Sequence, residues 1–79
     1  MDLALVGAVL SSFYDLPLPD RAILWGEVDL NGQIRPVAAN ALRMGQARRL
    51  GYNPILYPKD DKGGIATVME LATRLFKKA

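Results

Sequence analysis

Apolar residues fill the first part of the chain and predict a helix that is apolar on nearly every side. No charged residue occurs between positions 3 and 13, and small residues stand at Ala4, Gly7 and Ala8. A helix of this kind is buried on most sides or faces another chain, and its small residues allow another element to approach its backbone. Pro17 ends the helix, because the residue before a proline avoids the α region. The larger apolar positions of this helix are Leu3, Leu5, Val6, Val9, Leu10 and Phe13.

Strand-forming residues and a turn signal come next. Residues 22–28 (AILWGEV) predict a strand that is covered on both faces. After it, Asn31 and Gly32 tolerate positive φ and predict a type I′ turn, so that residues 33–37 return as the second strand of a hairpin. Pro36 lacks an amide donor and therefore lies at the end of that strand or on an edge.

The second half of the chain predicts a helix over 38–50, a short strand over 53–58 and an amphipathic helix over 65–76. The apolar stripe of the first of these helices comprises Ala38, Ala41, Leu42, Gly45, Ala47 and Leu50. Its outer positions include Asn40, Arg43, Gln46 and one or both of Arg48 and Arg49. The stripe of the last helix comprises Ile65, Val68, Met69, Ala72, Leu75 and Phe76. The order α-β-β-α-β-α predicts one α+β (α/β-like) domain spanning residues 1–79 around a small mixed sheet.

Composition excludes several classes of chemistry. The 79 residues contain no cysteine and no histidine, which removes disulfides, thiol catalysis, the usual zinc ligands and the usual general base. We therefore expect no metal and no cofactor in this chain. The apolar run is shorter than the ~20 residues that span a bilayer, and no basic region precedes it, so we expect neither a membrane span nor a signal peptide. A cytoplasmic setting fits the absence of cysteine.

Charge is distributed unevenly along the chain. Residues 1–31 carry a net charge of −4, whereas residues 32–79 carry +6. Such asymmetry is a hint of a basic face for an anionic partner. The alternative is a well-solvated surface on which arginines near a helix end complement the helix dipole. The basic residues on and just after the helix over 38–50 and the strand over 53–58 are Arg43, Arg48, Arg49, Lys59 and Lys62. The aromatic residues Trp25 and Tyr57 are typical of a core or its edge.

Three segments together carry a resemblance to a known family. They are residues 26–37 (GEVDLNGQIRPV), residues 11–19 (SSFYDLPLP) and residues 47–52 (ARRLGY). Their sequences resemble the C-terminal Lon-like domain of the RadA (Sms) family of bacterial DNA repair proteins. The resemblance runs from about position 2 to position 58, and more loosely to position 76. The resemblance implies a partial domain with the fold of the Lon protease C-terminal domain and its ribosomal-protein relatives.

The same resemblance implies a scaffold and DNA-contact domain of a recombinational repair ATPase. On that basis we expect weak DNA binding without sequence preference. The candidate DNA contacts are Arg43, Arg48, Arg49, Lys59 and Lys62. The ATP, zinc and branch-migration activity of that family are implied only for segments other than this chain. Two alternatives remain open. One is a fragment of a Lon-type serine–lysine protease, and the other is the Lon-like domain of a ComM-type ATPase related to magnesium chelatase.

The residues for Lon-type proteolysis do not match. In those proteases a serine is activated by a lysine that follows the hairpin proline by five residues, and that position here is Ala41. The position of the serine falls outside this sequence. Ser11 and Ser12 suit helix termination better than catalysis. We therefore expect no catalytic residue in this chain.

The first helix also predicts self-association. Leaving half of residues 3–10 uncovered would expose several side chains, each worth about 1.5–3 kcal/mol when fully buried. We therefore expect a homodimer or a larger assembly. The expected contacts between chains are Leu3, Leu5, Val6 and Val9.

Overall fold

The computed structural model of the chain describes residues 1–78, which form three helices and four two-residue strands. The elements are α1 (Leu3–Tyr14), β1 (Ile23–Leu24), β2 (Glu27–Val28), β3 (Ile34–Arg35), α2 (Asn40–Arg49), β4 (Ile55–Leu56) and α3 (Val68–Phe76). Strand β1 pairs with β4 in parallel, and β2 pairs with β3 in antiparallel register. The predicted α+β class with a small mixed sheet is confirmed. None of these helices is both long and apolar enough to cross a membrane.

The single strand predicted over 22–28 is wrong, because the backbone changes partner at Gly26. Before this residue, the Trp25 amide donates to the Leu56 carbonyl at 3.1 Å, as part of the pairing with β4. After it, the chain pairs with β3 instead. Gly26 has a φ of 142°, and a Cβ there would lie 3.1 Å from Pro58 Cγ and 3.2 Å from Ile34 Cγ2. A residue with a side chain would therefore be both strained and crowded at this junction.

The hairpin forms as predicted, but its turn is not type I′. Within this turn only Gly32 has a positive φ, at 77°. Its amide donates to the Asp29 carbonyl at 3.1 Å, and the Asp29 amide donates to the Gln33 carbonyl at 3.0 Å, which closes a three-residue loop. The Asp29 carboxylate accepts from the amides of Asn31 and Gln33 at 2.9 and 3.0 Å. These side-chain bonds favour the longer loop over the two-residue turn.

Helix α1 is buried on one face only within this chain, so of the two predicted alternatives burial on most sides is not observed and a face toward another chain stays a prediction. Leu3, Val6 and Gly7 face the core, and a Cβ on Gly7 would lie 2.8 Å from Leu24 Cδ2. Leu3 and Val6 are therefore buried within their own chain, and the contacts predicted between chains stay a prediction. On the opposite face, Leu5 and Val9 are 54% and 55% exposed.

The ends of α1 follow the sequence. The Asp2 carboxylate caps the first turn by accepting from the amides of Ala4 and Leu5 at 2.7 and 3.2 Å. The helix ends before Pro17 as predicted, with Asp15 in the left-handed conformation at its C-terminal cap. Ser11 donates its hydroxyl proton to the Leu16 carbonyl, so it does help to terminate the helix.

Helix α2 differs from the prediction in its start and its buried face. It begins at Asn40, after Ala39 with a φ of 63°, rather than at residue 38. Asn40 was expected on the outside, yet its side-chain oxygen accepts from Trp25 Nε1 at 2.7 Å. Of the predicted stripe, only Ala47 is buried. The remaining stripe residues are exposed because no element of residues 1–78 covers them; they are Ala38, Ala41, Leu42, Gly45 and Leu50.

Helix α3 is shorter than predicted. Thr67 is its N-cap and accepts from the Glu70 amide at 3.2 Å, so Ile65 precedes the helix although it is buried. Met69 is exposed, whereas Leu71, which the predicted stripe omits, is completely buried. The core cluster joins α1, α3 and the strands through Leu3, Val6, Ile34, Leu56, Ile65 and Leu71.

We expect Asp29→Ala to destabilise the hairpin at neutral pH and to matter progressively less in acid. Hydrogen bonds from the Gln33 amide foremost, and then from the Asn31 amide and Arg35, lower the pKa of the Asp29 carboxyl. A depressed folded-state pKa stabilises the fold above the unfolded value of about 4, and this contribution is lost as pH falls through the folded value. Chemical denaturation of parent and variant across that pH range measures the difference in their free energies of unfolding.

The matched control for this experiment is Asp20→Ala, which removes an exposed carboxylate with no hydrogen-bond partner among residues 1–78. A gap between parent and Asp29→Ala that stays constant with pH would contradict the assignment.

Candidate nucleic-acid interface

The five predicted DNA contacts are all exposed side chains. They are Arg43, Arg48, Arg49, Lys59 and Lys62. Among residues 1–78 the ion pairs join the amino terminus to Glu27 and Arg35 to Asp29, so none of the five forms an ion pair with a carboxylate there. Their charge is available to an anion from solution.

Two of the five lie on the same depression of the surface. Arg48 and Lys62 line a cleft of about 350 Å³ between α2 and the loop after β4, which we call the α2 cleft. Its α2 wall consists of residues at helical spacing, which therefore share one face of the helix. The cleft is lined by Asn40, Ala41, Met44, Gly45, Arg48, Tyr57, Asp60, Asp61 and Lys62.

The other three candidates lie elsewhere. Arg43 lines a separate groove of about 250 Å³ between α2 and β1, beside Trp25 and Tyr52. Arg49 and Lys59 line neither depression. Successive residues rotate by about 100° around a helix, so the arginines of α2 point in different directions. The predicted residues thus form a spread of positive charge on and beside α2 rather than one cluster.

An aromatic pair connects the two depressions: Tyr57 lines the α2 cleft and Trp25 lines the groove beside Arg43. Trp25 is 5% exposed and stacks on half-buried Tyr57 with ring centroids 6.1 Å apart and planes at 25°. The prediction that both rings belong to the core or its edge is confirmed. Because the indole N–H of Trp25 is bonded to Asn40, the same ring holds both the first turn of α2 and the Tyr57 wall. Sequence reasoning missed Asn40, although its spacing of seven from buried Ala47 places the two on one helix face.

The loop wall of the cleft is built from backbone hydrogen bonds. The Lys59 amide donates to the Ile65 carbonyl, and the Ile65 amide donates back to the Tyr57 carbonyl, both at 2.9 Å. The Asp60 carboxylate accepts from the amides of Lys62 and Gly63 at 2.8 and 3.0 Å. That carboxylate is therefore engaged within its own turn.

The end of α2 is held by one side chain that the sequence analysis did not single out. Arg21 donates from its guanidinium to the Leu50 carbonyl at 2.7 Å and lies over the Tyr52 ring, 4.6 Å from its centroid. This contact satisfies a carbonyl just beyond the helix. It fixes the direction of the helix that carries the three candidate arginines.

The position that resemblance assigns to a protease lysine lies in the α2 cleft. Ala41 is exposed on the α2 wall and brings no amine to it. Ser11 is engaged with the Leu16 carbonyl at the end of α1. The residues singled out for proteolysis therefore do not form a nucleophile–base pair.

Comparison with known proteins returns one name repeatedly. The chain is 41% identical over 61 residues to the DNA repair protein RadA of Haemophilus influenzae, covering 77% of this chain and 13% of that protein. It is 42% identical over 57 residues to RadA of Escherichia coli, covering 72% of the chain and 12% of that protein. This chain is similar to one part of RadA. It is 38% identical over 63 residues to RadA of Synechocystis, covering 80% of this chain and 12% of that protein.

The resemblance stated from the hairpin and its flanking segments is confirmed as a resemblance to a partial RadA domain. The chain spans only 12–13% of the length of these RadA proteins. No protein-family model matches the chain.

We expect Gly64→Ala to disrupt the loop wall more than Gly32→Ala disrupts the hairpin. Both glycines have positive φ, which costs other residues about 1–2 kcal/mol. A Cβ on Gly64 would in addition lie 2.8 Å from both Lys59 Cα and the Pro58 carbonyl oxygen, whereas a Cβ on Gly32 meets no atom within 4 Å. Overpacking adds about 1–3 kcal/mol to the loss at Gly64. Denaturation midpoints of the two variants measure the difference, and equal losses would contradict this account of the loop.

Proposed function

We propose that this chain is a non-catalytic, DNA-contacting part of a RadA-like DNA repair protein. The observation that carries the proposal is the set of five exposed cations on and beside α2, none of which is paired with a carboxylate among residues 1–78. The similarity to proteins named DNA repair protein RadA supports the same setting. The proposed role is electrostatic contact with the phosphate backbone.

Unpaired surface cations suit this role for a physical reason. Each phosphate that they neutralise releases condensed counterions from the DNA, and this release drives binding without reading the bases. A helix dipole gives Arg48 and Arg49 a structural reason to occupy the last turn of α2. The helix dipole gives no such reason for Arg43, because this residue lies in the first half of the helix.

The proposed role is that of a scaffold rather than an enzyme. A serine–lysine protease needs a base where Ala41 stands, so the alternative of a protease fragment has no support in the α2 cleft. The ComM-type alternative has no support in the relatives reported above, which are all named RadA. ATP-dependent and branch-migration activity are proposals for a complete RadA-like protein, and no residue of this chain is assigned to them.

We expect a variant with Arg43, Arg48 and Arg49 changed to alanine to bind DNA more weakly. Each lost phosphate contact should reduce the slope of log K against log salt by about one unit. Fluorescence anisotropy with labelled duplex and single-stranded DNA over a range of salt concentrations measures both quantities. The matched control changes Arg74, Lys77 and Lys78 to alanine, which removes three positive charges at the end of α3 instead of three on α2.

Circular dichroism establishes that both variants are folded. If the α2 variant is folded and binds as the parent does, the arginines serve solubility rather than DNA contact.

We further propose that the chain self-associates through the uncovered face of α1. Leu5, Val9 and Phe13 recur every four residues, and Phe13 is 79% exposed. Residues at this spacing line up along one side of a helix, so they form a continuous apolar strip that a second copy can cover by symmetric pairing. This surface lies on a different helix from the candidate DNA contacts.

We expect Val9→Asp to shift the chain toward monomer without unfolding it. Val9 is 55% exposed, so a charge there costs little within one chain but is costly inside an apolar contact between two chains. Light scattering at rising protein concentration measures the oligomeric state. Leu42→Asp, which places the same charge at an exposed position on α2, is the control. A parent that stays monomeric across the concentration range would overturn this proposal.

A further inference from the structure

The turn that Asn31 and Gly32 form does not explain the asparagine. A type I′ turn would require positive φ at both residues, but within this loop only Gly32 has it. Asn31 is exposed, and it enters the hydrogen bonding of the loop through its backbone amide. Its side-chain amide forms no hydrogen bond within the part of the chain that the structure describes. That side chain is therefore free to react.

A free asparagine side chain that precedes glycine can react with its own backbone. The Gly32 nitrogen loses its proton and attacks Cγ of Asn31. The new N–C bond forms while the bond from Cγ to Nδ2 breaks, and ammonia leaves with the proton. Water then opens the cyclic succinimide at either carbonyl, which gives aspartate or isoaspartate at position 31. Glycine has no side chain to obstruct the attack.

The closed hairpin loop opposes this reaction. The Gly32 amide donates to the Asp29 carbonyl at 3.1 Å, and the Asp29 carboxylate accepts from the amides of Asn31 and Gln33. The Gly32 nitrogen must leave its hydrogen bond and turn toward Cγ before it can attack. The negative charge of Asp29 also disfavours the loss of a proton close to it. The reaction therefore requires the loop to open.

The same loop ties the hairpin to α3. The Gly32 carbonyl accepts from the amide of Val68, the first residue of α3, at 3.0 Å, and the Ile34 amide donates to the Ala66 carbonyl at 2.8 Å. In isoaspartate the main chain passes through the side-chain carbonyl, which lengthens it immediately before Gly32. This change moves the Gly32 carbonyl away from Val68, whereas ordinary aspartate leaves the main chain as it was.

We propose that Asn31 is a site of spontaneous deamidation, that the closed hairpin loop slows the reaction, and that the isoaspartyl product detaches the hairpin from α3. Water is the co-reactant, and ammonia is released. The inference concerns the hairpin and α3, so it does not depend on the proposed DNA contact or on self-association.

The other two asparagines of the chain are internal controls. Asn53 precedes Pro54, whose nitrogen has no proton to lose. Asn40 precedes Ala41 in the first turn of α2, and its side-chain oxygen accepts from Trp25 Nε1 at 2.7 Å. Both should convert more slowly than Asn31.

The rate is measured on the full chain at mildly alkaline pH, with and without guanidinium chloride, by mass spectrometry of proteolytic peptides. We expect conversion of Asn31 in both conditions. It should be at least about fivefold faster in denaturant, the factor that corresponds to one net hydrogen bond holding the loop closed. In denaturant, Gly32→Ala should react more slowly than the parent, because its Cβ obstructs the attacking nitrogen.

The effect on α3 is measured on the converted chain. Ion-exchange chromatography separates this chain because it carries one more negative charge, and mass spectrometry identifies the isoaspartyl fraction. Asn31→Asp is the matched control, because it has the same charge and an ordinary main chain. We expect the isoaspartyl chain to unfold at a lower denaturant concentration than Asn31→Asp, and its Val68 amide to exchange faster with deuterium.

Each part of the inference has a result that would overturn it. An intact Asn31 in the folded chain, or conversion of Asn40 or Asn53 at the same rate, would remove the site. Equal rates with and without denaturant would remove the control by the loop. An isoaspartyl chain as stable as Asn31→Asp, with the same exchange at Val68, would show that the hairpin stays attached to α3.

Discussion

At Gly26 the backbone passes from a strand paired with β4 to a strand paired with β3, and three parts of the fold meet there. The Gly26 carbonyl accepts the Leu3 amide at 2.9 Å, which ties the start of α1 to the junction. A Cβ on Gly26 would lie 3.1 Å from Pro58 Cγ and 3.2 Å from Ile34 Cγ2, so a side chain there would be crowded. With strands of only two residues each, pairing alone cannot fix their relative positions. Close approach at Gly26, together with the cluster around Leu56 and Leu71, supplies that constraint.

Helix α2 stands apart from this core. It is held by Trp25 through Asn40, by one buried alanine and by Arg21 beyond its end. So light an attachment leaves most of its surface exposed, which explains why apolar and basic residues of α2 alike face solvent. A helix that contributes little to the core is free to carry charge and to form one wall of a cleft. The proposals for DNA depend on this separation.

The two surfaces proposed as interfaces have different physical characters. The exposed face of α1 is apolar, so its partner must itself be apolar and a second copy satisfies this condition. The surface around α2 is polar and positively charged, so its partner is anionic and its affinity depends on salt. Because the two lie on different helices, a change in one should leave the other unaffected. The similarity to RadA covers a short part of that protein, and the proposals concern the residues of this chain alone.

The sequence by itself determined the local features of this protein. The proline after α1, the Asn31–Gly32 signal and the periodicity of α3 depend on neighbouring residues, and the elements they predict are present. The hairpin and its two flanking segments together also carried the resemblance to RadA. Only the tertiary structure decided which faces are buried. Periodicity marks an apolar face but does not say whether another element covers it, so the predicted stripe of α2 is mostly exposed and α1 is covered on one face alone. The split strand at Gly26, the inward turn of Asn40 and the separation of Arg43 from Arg48 all depend on contacts between residues distant in sequence. Asn40 and Tyr57, which line the α2 cleft, both contact Trp25, and no local pattern predicts those contacts.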